Sequence, residues 1–308
     1  MKFDQGLLSV PALTAALVIA CAPVGAWAQE SVDEPAATQV APVTVEGRRL
    51  ADQVRNFVGE VAAAPRGQQL ARWDGRVCVG TVNLDPRYGQ FMIDRVMQTA
   101  ISVGLDSGEP GCTPDILVIG TTDGDQLARS LVEDSPSGFR PARGGTDLGR
   151  AALRRFQNTD APVRWWHVSL PVSVDTGEIA AALDGEEYST ISVRDASRLR
   201  SNTRDELRRV IIILDVSRIG VVPFGALSDY VAMIALAQVD PEADTSPYPS
   251  VLNLFSDIAA GSEATGLTDW DRDYLAGLYR ARNDRARSSQ QEREIAREMM
   301  QASEAGED

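Results

Sequence analysis

The chain has 308 residues, 44 acidic against 30 basic side chains, a net charge of −14 and a single histidine. A surface this acidic repels nucleic acid and anionic lipid, both of which call for a basic footprint. His167 alone cannot supply a three-histidine metal site within one chain.

Residues 1–28 read as a secretory signal, with Lys2, an apolar stretch from Leu7 to Ile19, and Ala26-Trp27-Ala28 before Gln29. The chain is therefore expected to be exported, periplasmic or secreted, with no transmembrane helix after processing. The alternative is lipidation at Cys21, at the end of VIAC, which would leave a membrane-anchored protein. Removing residues 1–28 takes away the only lysine, so Schiff-base chemistry is excluded in the processed chain. Residues 29–49 read as a flexible leader.

A folded domain is expected over residues 50–282, of α+β class. ADQVRNFVGEVAAA reads as a short helix, and RWDGRVCVGTVNL as a strand. PRYGQFMIDRVMQTAISVGL reads as a helix whose buried face holds Phe91, Ile93, Val96, Met97, Ala100 and Ile101, and DILVIGTT as a short strand. Cys78 and Cys112 are expected to form a disulfide, because an exported chain meets an oxidising compartment.

Residues 123–202 read as a loop-rich insertion. Within it VRWWHVSLPVSV alternates as an edge strand, which places Trp165 and Trp166 on opposite faces and one ring at the surface. Trp165, Trp166 and His167 are the candidate binding edge. VIIILD is a buried strand, and ALSDYVAMIALAQV, residues 226–239, a helix. TDWDRDYLAGLYRA is a helix with Thr268 as N-cap and Asp271 three residues on, and with Trp270, Tyr274, Leu275 and Leu278 on one face. Residues 283–308 read as a polar tail, helical or disordered and solvated.

SDYVAMIALAQ, YPSVLNLF and GLTDWDRDYLAGLY, in this order after a strand–helix–strand–insertion–strand series, resemble the last third of the metzincin-type metallopeptidases. The family pattern is a helix carrying H-E-x-x-H-x-x-G-x-x-H, a turn beneath the metal, and a C-terminal helix. The resemblance implies a zincin-like mixed sheet with a central helix and a C-terminal helix. It puts Ser228, Ala232 and Gln238 where three zinc-ligating histidines would stand, and Asp229 where a glutamate activates the bound water. With all three histidines replaced, the implication is a pseudo-metallopeptidase with no metal, no cofactor and no catalytic residue.

Other chemistries find little footing. There is no G-x-S-x-G elbow, no glycine-rich phosphate loop and no dinucleotide fingerprint. DPEADTS offers oxygen ligands for calcium without an EF-hand pattern. Three readings of function remain open: a non-catalytic zincin-like envelope protein that binds a peptide or protein partner, a hydrolase with an acid/base site around Asp229, and a purely structural envelope protein.

Overall fold

The computed structural model describes residues 43–306 except Arg66, Arg143, residues 186–190, Ser192, residues 195–197 and Leu199. The expected signal, Cys21 and most of the leader lie outside the described residues. The end of that leader is helical, because α1 (Val43–Val61) begins there. Two short strands follow, β1 (Arg76–Val77) and β2 (Val79–Val82), in place of the single expected one. Asp85 then starts α2 (Pro86–Ser102) by accepting the Arg87 N–H, with Pro86 in the first turn. Next come β3 (Asp106–Ser107) and β4 (Ile116–Thr121).

The middle of the chain is more regular than its turn residues suggest. It contains α3 (Gly124–Asp134), α4 (Pro136–Phe139), α5 (Gly149–Asn158) and β5 (Val163–Ser173). TRDELRR and VIIILD form one strand, β6 (Thr203–Asp215), followed by the short α6 (Val216–Ile219) and by α7 (Phe224–Leu236). A 3-10 turn over Val251–Asn253 leads into α8 (Leu254–Ala259), and the chain ends with α9 (Asp269–Arg280) and α10 (Ser288–Gly306). No helix among the described residues is long and apolar enough to cross a membrane.

The architecture is α+β. The main sheet has the order β2-β4-β6-β5, with β2, β4 and β6 parallel and β5 antiparallel at the edge. Side-chain alternation splits its core in two. Ile116, Val118, Val163, Trp165, Val210, Ile212 and Leu214 face a core shared with α1, α2, α7, α9 and α10. Ile119, Trp166, Val168, Ile211 and Ile213 face a second core with α3, α4 and α5. Helix α7 packs into the first, every residue from Ala226 to Leu236 being buried.

Three expectations need correction. The buried face of α2 is Met92, Val96, Met97 and Ala100, while Phe91 and Ile101 are exposed at 47% and 58%. That face is set by contact with α7 and the sheet, which selects one stripe among several apolar ones. The expected solvated tail is instead packed: Ile295, Ala296 and Met299 of α10 are buried, and Gln291 both accepts the Leu70 N–H (2.8 Å) and donates to Leu70 O (3.0 Å). Gly277 allows this, because a Cβ there would lie 2.8 Å from Ile295 O. Finally, Trp165 and Trp166 do point to opposite faces, yet neither is at the surface, at 7% and 3% exposed.

Two local expectations hold. Thr268 and Asp271 form a reciprocal capping box on α9. Cys78 and Cys112 are disulfide-bonded across 34 residues, worth about 3–4 kcal/mol on the chain-entropy account.

A candidate binding groove beside the edge strand

The four positions assigned to a degenerate metal site are all buried, and each is engaged with a different neighbour. Ser228 Oγ donates to Phe224 O within α7 (2.8 Å). Ala232 is packed in the core. Gln238 lies beyond the end of α7, where its Oε1 accepts the Ala71 N–H at 2.7 Å. Asp229 is 1% exposed and is clasped by the Arg95 guanidinium, with Nη2 to Oδ2 at 2.8 Å, while its Oδ2 also accepts the Leu267 N–H at 3.1 Å. The hydrogen bond from Arg95 to Asp229 raises the arginine's own pKa above its ordinary value. Asp229 is therefore a buried side chain whose oxygens are engaged by Arg95 and the Leu267 N–H, and it does not line the cleft along β5. Among the described residues no three His, Cys, Asp or Glu side chains are grouped so that they could hold a metal ion.

A cleft of about 670 Å³ runs along β5 instead. The candidate edge residues Trp165, Trp166 and His167 all line it. Their side chains fix the strand to its neighbours: Trp165 Nε1 donates to Val239 O (3.0 Å), Trp166 Nε1 to Phe139 O (2.8 Å), and His167 Nε2 to Ile234 O (2.7 Å). Burial drives the His167 pKa down to about 4, so its ring is neutral and serves as a strut between β5 and α7. Arg164 ties the other face, donating to Phe156 O and Thr159 O and pairing with Asp125 at 2.7 Å.

What these struts leave free is the main chain. Asp215 N–H bonds to Pro162 O, and Val210 N–H bonds to Asp115 O, just before β4. The antiparallel alternation then directs the N–H and C=O of Arg164 and Trp166 to β6, and those of Val163, Trp165 and His167 outward. Further along, the same outer edge is covered by the chain itself: Ser169 N–H bonds to Thr146 O, Ala180 N–H to Pro171 O and Ser173 N–H to Glu178 O. Over Val163–His167 no partner for the outward groups is found among the described residues.

Two walls flank this open stretch. One is α5, presenting Leu148, Ala152 and Phe156; the other is Tyr230 of α7 with residues 239–256, presenting Val239, Leu252 and Phe255. The second wall is held by Asn253, whose Nδ2 donates to Thr245 O and Tyr248 O and whose Oδ1 accepts from Thr245 Oγ1. Neither wall was foreseen in the sequence. The spacing of Leu148, Ala152 and Phe156 at i, i+4 and i+8 was the available signal for the first.

Compared with family models, with curated proteins and with solved structures, the chain matches none.

Proposed function

We propose that this chain is a non-catalytic, zincin-like envelope protein that binds an extended peptide by adding it as a strand to the outer edge of β5. The observation that carries the reading is the set of outward N–H and C=O groups at Val163, Trp165 and His167, without partners among the described residues and beside an apolar groove. Unpaired main-chain groups in such a place are costly unless an occupant or water satisfies them. An extended peptide meets up to six such groups, each hydrogen bond being worth about 1 kcal/mol net. Export fits the signal-like start of the chain and the disulfide.

The zincin-like ancestry is supported by the element order, in which β6, α7, the turn at Val251–Asn253 and α9 follow one another as the resemblance implies. A non-catalytic role is supported by Asp229: an acid/base group needs access to substrate, and this carboxylate is enclosed by Arg95 and Leu267.

The test is titration, followed by intrinsic tryptophan fluorescence, of a lysine-flanked peptide of five valine and isoleucine residues. The same peptide carrying an N-methyl group at its central residue is expected to bind at least tenfold more weakly in the register that pairs with Trp165. Equal binding of the two would mean that the groove recognises side chains alone.

A further inference from the structure

The groove is walled on both faces of the sheet, and this decides which segment fits. A strand laid against β5 sends its side chains alternately to the two faces. On one face they meet Tyr230, Val239, Leu252 and Phe255, which pack with the core around α7. On the other they meet Leu148, Ala152 and Phe156, which pack with the core around α3 and α5. An ordinary edge strand of a half-exposed sheet takes a partner with one apolar and one polar face; a strand covered on both faces takes a continuous apolar run.

Resting on the peptide-binding reading above, we infer that the groove is a vacant interior-strand position whose partner is a segment of about five residues, apolar on both faces, with a basic residue beside the run. The length follows from the edge, since among the described residues Val163–His167 has no outward partner and Thr146 covers the edge at Ser169. That stretch spans roughly 16 Å at about 3.3 Å per residue. The basic flank follows from charge. Of the ionised lining side chains, Arg155 pairs with Glu242 and Arg164 with Asp125, whereas Asp244 has no ion-pair partner among the described residues. Asp244 accepts the Ser246 hydroxyl and N–H, which hold its pKa below the usual carboxylate value and keep it charged. A lone carboxylate at the groove favours a cationic neighbour on the partner.

Three acetylated and amidated heptapeptides, each with terminal lysines, test the inference. One has five valine and isoleucine residues between the lysines. The second has threonine at the second and fourth of those five, and the third at the first, third and fifth. Threonine keeps the shape and strand preference of valine while burying a hydroxyl. The continuous apolar peptide is expected to bind at least tenfold tighter than either alternating one, and exchanging its lysines for glutamates to weaken it further in wild type but much less in Asp244→Asn. An alternating peptide that binds as tightly as the continuous one would overturn the two-walled slot while leaving strand addition standing. Binding by none of the three would overturn both. Sedimentation of the peptide-free protein closes the remaining case: a dimer that dissociates as peptide is added would make a second copy of this chain the occupant and contradict the partner assigned here.

Discussion

Arg155 on α5 and Glu242 on the segment after α7 form an ion pair, Nη2 to Oε2 at 2.7 Å, which joins the two walls of the groove across the free edge of β5. Both side chains are about half exposed, at 51% and 58%, so the pair contributes only a few tenths of a kcal/mol to stability. Because it links the two walls, the pair is expected to act on the rate of peptide entry. Arg155→Gln and Glu242→Gln should leave the melting temperature nearly unchanged and raise the association rate of the apolar heptapeptide several-fold. Raising the salt concentration should bring wild type toward the variants, since salt screens exposed charges. Stopped-flow tryptophan fluorescence reads this directly, and equal rates in all three proteins would remove the pair from the entry path.

Asp229 should prove structural. Asp229→Ala leaves the buried Leu267 N–H without an acceptor and should cost about 2–4 kcal/mol in urea unfolding. Gly266 supplies an internal control, because a Cβ there would fall 2.0 Å from Asp229 Oδ2. Gly266→Ala should destabilise wild type by about 1–3 kcal/mol and cost little in the Asp229→Ala background, where the clash is gone. Additive losses would mean that the two positions do not meet.

The two tryptophans should both behave as core residues. Each ring is buried with its N–H bonded to a carbonyl. Trp165→Ala and Trp166→Ala should each cost about 3–5 kcal/mol, measured as a shift in urea midpoint. A substitution that left stability unchanged at either position would put that ring at the surface, as the sequence alone suggested.

Acid and neutral stability should depend on His167 and Asp205 in opposite ways. His167 has its folded pKa lowered to about 4 by burial, against an ordinary 6.5. The unfolded chain binds that proton more readily, so stability present above pH 6.5 is lost as pH falls toward 4, by about 3 kcal/mol. Asp205 has its pKa raised to about 6 by burial, against the partial compensation of the Gln69 N–H. Its contribution is full below its ordinary 3.8 and is lost as pH rises through 6, again by up to about 3 kcal/mol. Urea midpoints between pH 4 and 8 should therefore show a smaller acid loss in His167→Gln, and a smaller loss from pH 4 to 7 in Asp205→Asn. Parallel curves for the variants and wild type would rule out both assignments.

How much of this was legible in the chain follows from the range of the interactions. The Thr268–Asp271 capping box is a contact over three residues, and the opposite orientation of Trp165 and Trp166 follows from strand pleat, so both could be read locally. The burial of both rings could not, because it depends on α5 and on residues 239–256 covering the two faces of β5. The role of Asp229 was hidden for the same reason: its partner Arg95 lies 134 residues earlier. The packing of α10 turned on Gln291 meeting the main chain of Leu70, a fit between a polar side chain and a distant backbone that no apolar stripe announces. Helix α5 was the exception, since its apolar spacing was present and was masked by the turn residues before it.

The central claim, that a partner pairs with the main chain of β5, is tested most directly by residue-resolved amide hydrogen exchange with and without saturating lysine-flanked apolar peptide. The outward amides of Val163, Trp165 and His167 should exchange roughly tenfold or more slowly in the complex, while Arg164 and Trp166, already paired with β6, change little. Uniform protection along the strand, or none at the three outward amides despite binding, would contradict strand addition.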